Sequence, residues 1–164
     1  MIKIIFKIKT SSFIFVQLFL SMFSNSTKYA IKAVLYLAVH SSEDQKIMIK
    51  DIAEPINVPK HYIAKILQTL SKLDLVSSHK GPKGGFYLNE KNRQVKVIQI
   101  INAIDGEDRM NSCLLSLNEC NVDNPCSLHH LVFREKQQIL KRLECTSLNE
   151  LAAHINDGKS VLPL

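Results

Sequence analysis

A basic helical stretch that runs straight into a glycine-punctuated hairpin is the feature that most constrains this chain. Leu75-Val76-Ser77-Ser78-His79 has the composition of a short strand, Gly81-Pro82-Lys83-Gly84-Gly85 that of a turn, and Phe86-Tyr87-Leu88 that of a returning strand. Glycines at 84 and 85 permit positive φ and let the hairpin tip approach another backbone closely. Lys80 and Lys83 flank that tip. Upstream, Ile63, Ile66, Leu67 and Leu70 recur at helical spacing to about Leu73, which leaves Lys60, His61, Lys65, Gln68 and Lys72 largely outward. Pro59 suits the first turn of that helix, where a missing N–H costs nothing. Ile49 to Ile56 reads as a short preceding helix, broken near Pro55-Ile56-Asn57. Two such helices alone could be an ordinary helical hairpin with a solvated face. A basic hairpin directly behind them makes a winged helix-turn-helix, with a wing sized and charged for a minor groove or phosphates.

The charge distribution agrees. The chain of 164 residues has a formal net charge of +6, but residues 50–96 hold nine Lys or Arg against Asp51, Glu54, Asp74 and Glu90, whereas residues 97–164 hold six basic against nine acidic residues. The positive field is concentrated in the segment expected to face phosphates. No phosphate-binding glycine loop before a helix, nucleophile elbow or His-Glu-x-x-His occurs, so no enzyme signature is present.

Around that centre, Ser24-Asn25-Ser26-Thr27 offers N-cap side chains to a helix in which Tyr29, Ala33, Tyr36 and Leu37 share a face. Ser41 to Lys46 is a polar loop. Val97, Ile98, Ile100, Ile101, Ala103 and Ile104 form another apolar-faced helix, stopped by Gly106 after Asp105. An irregular loop from Asn111 to Pro125 follows. Ser127 is placed to cap a long helix to about Leu143, carrying Leu128, Leu131, Val132, Ile139, Leu140 and Leu143. Such a stripe has little of its own monomer to cover it, so a helix from a second subunit is the expected cover. Ser147-Leu148-Asn149-Glu150-Leu151 carries a capping-box pattern for a short final helix, and the tail from Asp157 is expected to fray.

The loop holds the second informative pattern, Cys113-x₆-Cys120-x₅-Cys126 followed by His129. Grouped cysteines beside a histidine, in a chain too long to be a disulfide scaffold, favour metal ligation in a reducing cytosol. Soft thiolates on a loop able to wrap a cluster suit iron–sulfur ligation. Cys126 and His129 are three residues apart at a helix start and so can meet one ion; helical phase favours His129 over the adjacent His130. Three alternatives stay open: unligated thiols packed as small hydrophobes, structural zinc in a Cys₃His set, and a metal-free thiol–disulfide switch. Cys145 reads as a buried or interface residue, about a 30 Å helix away from Cys126. His61 and His79 read as DNA-face or surface residues, His40 and His154 as ordinary core or surface positions.

The first 21 residues stand apart. Five of the seven phenylalanines lie before residue 24, and a Lys-containing start precedes the apolar run Phe13–Leu20. The run is too short to span a bilayer as a helix, and no Ala-x-Ala cleavage site follows it. The preferred reading is that Met22 is the true start and the leader an over-extension of the reading frame, ahead of a disordered or membrane-touching leader and of a signal peptide.

From about Met22 to about Ala152 the chain resembles the Rrf-type family of winged-helix regulators, the iron–sulfur regulators typified by IscR and NsrR. The motifs are Tyr29-Ala30, Ile52-Ala53, Tyr62 with Leu67, Ala103-Ile104-Asp105-Gly106 and, most specific, the wing Gly81-Pro82-Lys83-Gly84-Gly85-Phe86-Tyr87-Leu88. The resemblance implies a homodimer crossed through the long helix, with recognition helices in the major groove of a pseudo-palindromic operator and wings in the flanking minor groove. It also implies repression near cluster-assembly or nitrosative-stress promoters, although some members lack a cluster. Members with one use three such cysteines and a variable fourth ligand. In the IscR-like branch this is a His three after the third Cys, matched by His129; in the NsrR-like branch it is an acidic residue early in the first helix, where this chain has Lys28.

The resulting expectation is a mainly α chain with a small β-hairpin wing and a long C-terminal dimerisation helix. Residues 1–21 form a non-native or disordered leader, 22–106 a DNA-binding domain, 107–126 a cysteine loop, 127–155 the dimerisation and final helices, and 156–164 a tail. The expected function is a cytoplasmic transcriptional regulator, a repressor of double-stranded DNA operators. Its affinity would be set by an iron–sulfur cluster (2Fe–2S or 4Fe–4S) on Cys113, Cys120, Cys126 and His129, sensing cluster supply, redox state or nitric oxide. Lys60, His61, Lys65, Gln68, Lys80, Lys83, Gly84 and Gly85 would form the DNA face. The rival readings are a cluster-free repressor switched by thiol oxidation or a small ligand, and an exported or membrane-associated Cys₃His zinc protein.

Overall fold

A computed structural model of the chain describes residues 23–82, 84–112 and 123–164. Within them the elements run α1 (Asn25–His40), α2 (Ile49–Ile56), α3 (Lys60–Lys72), β1 (Ser77–His79), β2 (Gly85–Tyr87), α4 (Glu90–Arg93), α5 (Val97–Asp105), α6 (Asp108–Asn111), α7 (His129–Cys145) and α8 (Leu148–Asn156). This is the mainly helical architecture with a two-stranded hairpin that the sequence predicts. The leader, Lys83, Cys113 and Cys120 lie outside the described residues.

Helix α1 is the centre of the body. Ser24 caps it, its side chain accepting from the Thr27 N–H at 3.1 Å, and the same Ser24 hydroxyl and amide donate to the Asp105 carboxylate at the end of α5. Ala30, Ala33, Val34 and Leu37 are sealed from solvent, and the main core joins them to Ile52, Ile63, Leu67, Leu70, Val76, Phe86, Leu88 and Ile100. Burial of apolar area on this scale supplies the main drive to fold. Pro55 lies inside α2 but in its last turn, where few later hydrogen bonds depend on it. Asn57 then adopts the left-handed region at φ 58°, buried Val58 plugs the corner, and Pro59 caps the next helix. Pro59 thus stands one residue outside α3, not in its first turn.

A second, smaller core lies behind the first. Val97 and Ile101 of α5 pack with Met110 of α6 and Leu140 of α7, flanked by Phe23, Leu143 and Leu151. The end of α7 is stitched to the start of α5 by backbone bonds from Val97 N–H to the Thr146 carbonyl (3.1 Å) and from Leu148 N–H to the Val95 carbonyl (3.0 Å). Ser147 and Glu150 form the expected capping box of α8, with Glu150 N–H donating to Ser147 Oγ at 3.2 Å and Ser147 N–H to the Glu150 carboxylate at 2.8 Å.

Two local expectations are corrected, and two short helices are added. Ser127 does not cap α7: the helix begins at His129 with Leu128 as its N-cap and no capping side chain, and it runs to Cys145. Between Gly106 and the loop expected from Asn111, Asp108–Asn111 forms a short helix seated by Met110. The α7 stripe is partly covered by its own chain, through Leu140 and Leu143, whereas Leu131 stands 69% exposed. The short helix α4 carried no apolar periodicity in the sequence. It exists because Asn89 and Asn92 cap each other and Asn92 also donates to the Asp74 carbonyl at 2.8 Å.

Candidate nucleic-acid interface and metal centre

The inward face of α3 (Ile63, Ile66, Leu67, Leu70) is spent on the core, so its other face is left to solvent. Lys60, His61, Lys65 and Gln68 are all exposed there, as the spacing predicts. Tyr62, half-buried, fixes the helix to α1: its hydroxyl lies 2.6 Å from Ser26 Oγ and its ring meets Tyr29 edge-on at 6.0 Å. These contacts hold α3 in place against α1.

The wing is a three-sided construction. Strands β1 and β2 pair antiparallel with Ser77 opposite Tyr87, Ser78 opposite Phe86 and His79 opposite Gly85. Phe86 then bonds to Ile47 on its other side, with N–H to carbonyl distances of 2.9 Å in both directions. Ser78 Oγ lies 2.9 Å from Ser71 Oγ at the end of α3, and Ser77 Oγ donates to Asn92 at 2.6 Å. The tip closes through Gly84 N–H to the Gly81 carbonyl at 2.8 Å.

Of the two reasons the sequence suggests for these glycines, close approach holds and positive φ does not. The positive φ belongs to Gly81 (116°), and Gly84 and Gly85 are not in that region. They are needed for close approach: a Cβ on Gly85 would lie 2.6 Å from the Ile47 carbonyl oxygen, and one on Gly84 would strike the His79 carbonyl. Both obstacles are backbone and cannot rotate aside.

Between wing and α3 lies an open groove. Its walls are Gln68 of α3, Ser78, His79 and Lys80 of the wing arm, and Met48, Ile49 and Lys50 at the start of α2. Among the described residues no acidic side chain lines it. Lys80 and Lys50 are exposed on its rim, Lys50 being a member the sequence reading missed; its place in the first turn of α2, facing the hairpin, was the available signal. Lys83 lies outside the described residues.

The second candidate site begins where α6 ends. Of the four predicted ligands, Cys126 and His129 are described. Cys126 is half-buried just before α7, and the His129 N–H donates to its carbonyl at 3.0 Å, which makes one tight turn of the pair. His129 is 5% exposed, its ring stacked on Phe133 at 4.5 Å and met edge-on by His130 at 5.9 Å. His130 itself points to solvent. Lys136, two turns further along the same face, is 9% exposed and donates from Nζ to the Ser112 carbonyl at 2.6 Å. Among the described residues no group of three or more His, Cys, Asp or Glu converges on a metal position. A thiol and an imidazole one helical turn apart, the imidazole sheltered from water, nonetheless fit half of a Cys₃His donor set. Cys145 lies exposed at the far end of α7, away from that pair.

No helix among the described residues is long and apolar enough to cross a membrane.

Comparison with known proteins agrees with this anatomy. A protein of Aquifex aeolicus described as an HTH-type transcriptional regulator is 33% identical over 132 residues, covering 79% of this chain and 90% of that relative. The transcriptional regulator IscR of Xenorhabdus nematophila is 31% identical over 124 residues, covering 76% of this chain and 74% of its own length. Among solved structures, CymR, the global cysteine regulator of B. subtilis, superposes with a TM-score of 0.65 at 23% identity, over 80% of this chain and 95% of that one, and so supports the fold. The Rrf2 family profile, described as an iron-dependent transcriptional regulator, matches residues 23–154. The chain belongs to the Rrf2 family of transcriptional regulators.

Proposed function

We propose that this regulator is a repressor whose affinity for a pseudo-palindromic operator is set by an iron–sulfur cluster on Cys113, Cys120, Cys126 and His129. The observation that carries the reading is the Cys126–His129 turn, with a sheltered imidazole beside a cysteine at the start of the long helix. Of the two adjacent histidines, the buried His129 is the fourth ligand in this reading and the exposed His130 is not. When bound, the cluster supplies one-electron redox chemistry and reactivity toward oxygen or nitric oxide. The chain's part is to hold it: Phe133 fixes the ring plane of His129, and α6 and α7 fix both ends of the cysteine segment.

On the DNA side, Lys60, His61, Lys65 and Gln68 read or position the major groove. Lys80, Lys83 and Lys50 contact backbone, and Gly84 and Gly85 keep the wing thin. A second copy covers the exposed Leu131 side of α7 and makes the dimer that a two-fold operator needs.

Anaerobic reconstitution with iron and sulfide tests this. A brown protein with stoichiometric iron and sulfide, whose affinity for its own promoter region changes when the cluster is removed, is the expected result. A colourless protein containing zinc, or one whose DNA binding follows thiol oxidation without iron, overturns the cluster reading and leaves a cluster-free repressor.

A further inference from the structure

The inward face of α7 reads His129, Phe133, Lys136, Leu140, Leu143, residues spaced three or four apart on one side of the helix. Four of the five suit a covered position. Lys136 does not: an ammonium taken out of water costs several kcal/mol unless its donors are satisfied, and Lys is among the residues least often buried. Yet it is only 9% exposed, and its Nζ donates to the Ser112 carbonyl at 2.6 Å. Ser112 is the C-cap of α6 and the last described residue before Cys113. The other half of that junction is apolar, with Met110 of α6 buried against Leu140 of α7. A hydrophobic contact fixes how closely two elements approach; a charge-assisted hydrogen bond at 2.6 Å also fixes direction and register.

We infer that Lys136 is a positioning residue for the sensor: its buried ammonium locks the Ser112 carbonyl to α7, fixing where the cysteine-bearing segment leaves the body relative to the Cys126–His129 turn. This rests on the cluster reading above and deepens it. Cys126 and His129 stand at the beginning of α7, and Lys136 stands on the same helix face seven residues on. One rigid helix therefore carries two ligands at its start and the clamp that sets the exit point toward the other two.

The test uses the full chain with Lys136→Met, which keeps the length and apolar stem, and Lys136→Arg, which keeps charge and donors. Deuterium exchange of the cluster-free protein at residues 109–112 reads the clamp directly. Loss of one charge-assisted bond should speed it about 10-fold in the Met variant and much less in the Arg variant. Anaerobic reconstitution then reads positioning. Lys136→Met should fold, with unchanged far-ultraviolet circular dichroism, yet lose its cluster to a chelator about 10-fold or more faster, with an altered visible spectrum. Lys136→Arg should restore both. A Met variant with wild-type exchange and cluster retention overturns the assignment to Lys136 alone. If wild type takes up no cluster, the sensor reading falls and takes the positioning role with it.

Discussion

Replacing Gly85 by alanine is the smallest change that should disable the wing. An added Cβ would lie 2.6 Å from the Ile47 carbonyl oxygen and 2.8 Å from its carbon, both inside any tolerable contact. Ile47 cannot yield cheaply, because its backbone exchanges two hydrogen bonds of 2.9 Å with Phe86, the neighbour of Gly85. Relief requires breaking that bridge and lifting the Phe86 ring, now 7% exposed, off the core. Two hydrogen bonds at roughly 1 kcal/mol each, plus partial loss of an aromatic contact, give about 2–4 kcal/mol. Small-to-large changes in packed sites fall in the same range, about 1–3 kcal/mol. For a chain of this size that corresponds to a fall in melting temperature of about 4–16 °C. Gly158→Ala is the control. It carries the cost of φ 70° but meets nothing within 4 Å and lies in the tail, so it should lower stability by about 1 kcal/mol and leave DNA binding intact. Melting curves together with titration of a duplex of the chain's own promoter region give both readouts. Wild-type stability and affinity for Gly85→Ala would refute the close-approach argument.

Lys80→Ala and Lys50→Ala, both on the groove rim, should each weaken binding to specific and random duplex alike and reduce the slope of log affinity against log salt by about one, read by fluorescence anisotropy. His129→Ala should retain a reconstituted cluster with altered spectrum and oxygen sensitivity, whereas His130→Ala, on the exposed side, should match wild type; equal effects of the two would remove the burial argument for choosing between them. Ser147→Ala should cost about 1 kcal/mol through the lost cap of α8, seen by denaturant titration. The Glu150 carboxyl is held below its ordinary value of 4.5, chiefly by the backbone hydrogen bond from Ser147. Its contribution is therefore present above that pH and is lost as the pH falls through the lowered value, so Glu150→Gln should flatten the acid limb of the stability curve.

The elements legible in the sequence were those whose physics is local or periodic. The helix carrying Ile63, Ile66, Leu67 and Leu70, the capping box at Ser147, and the stop at Gly106 each depend on residues within one or two turns. What escaped was set by contacts distant along the chain. That Gly84 and Gly85 permit a close approach was legible, but which backbone approaches Gly85 was not: it is Ile47, nearly forty positions earlier, running against Phe86. Helix α4 is held by Asn92 bonding to Ser77 and to the Asp74 carbonyl, and nothing in Glu90–Arg93 itself announces that. Arg93 is similar: its guanidinium donates to the Ala38 and Ser41 carbonyls at 2.9 and 2.8 Å, closing the end of α1. At the candidate metal site, spacing placed Cys126 and His129 together and helical phase favoured His129 over His130, but how deeply that ring is sheltered was not legible. That depends on where Phe133 and the packed face of α7 lie.

Helix α5 is one of the elements shared by the two cores. Ile100 belongs to the core shared with α1, α3 and the wing, while Val97 and Ile101 belong to the core shared with α6 and α7. Its end is held to the start of α1 by Asp105, which accepts from both the amide and the hydroxyl of Ser24. Close-packed cores do not deform continuously, so a displacement of Met110 must either be refused by α5 or be passed to its opposite face. That face supports α3, whose outer side carries Lys60, His61, Lys65 and Gln68. Under the proposed function, the path from the cysteine-bearing segment to the polar face of α3 is one helix thick, through a change in how the short helix α6 sits against α5 and α7.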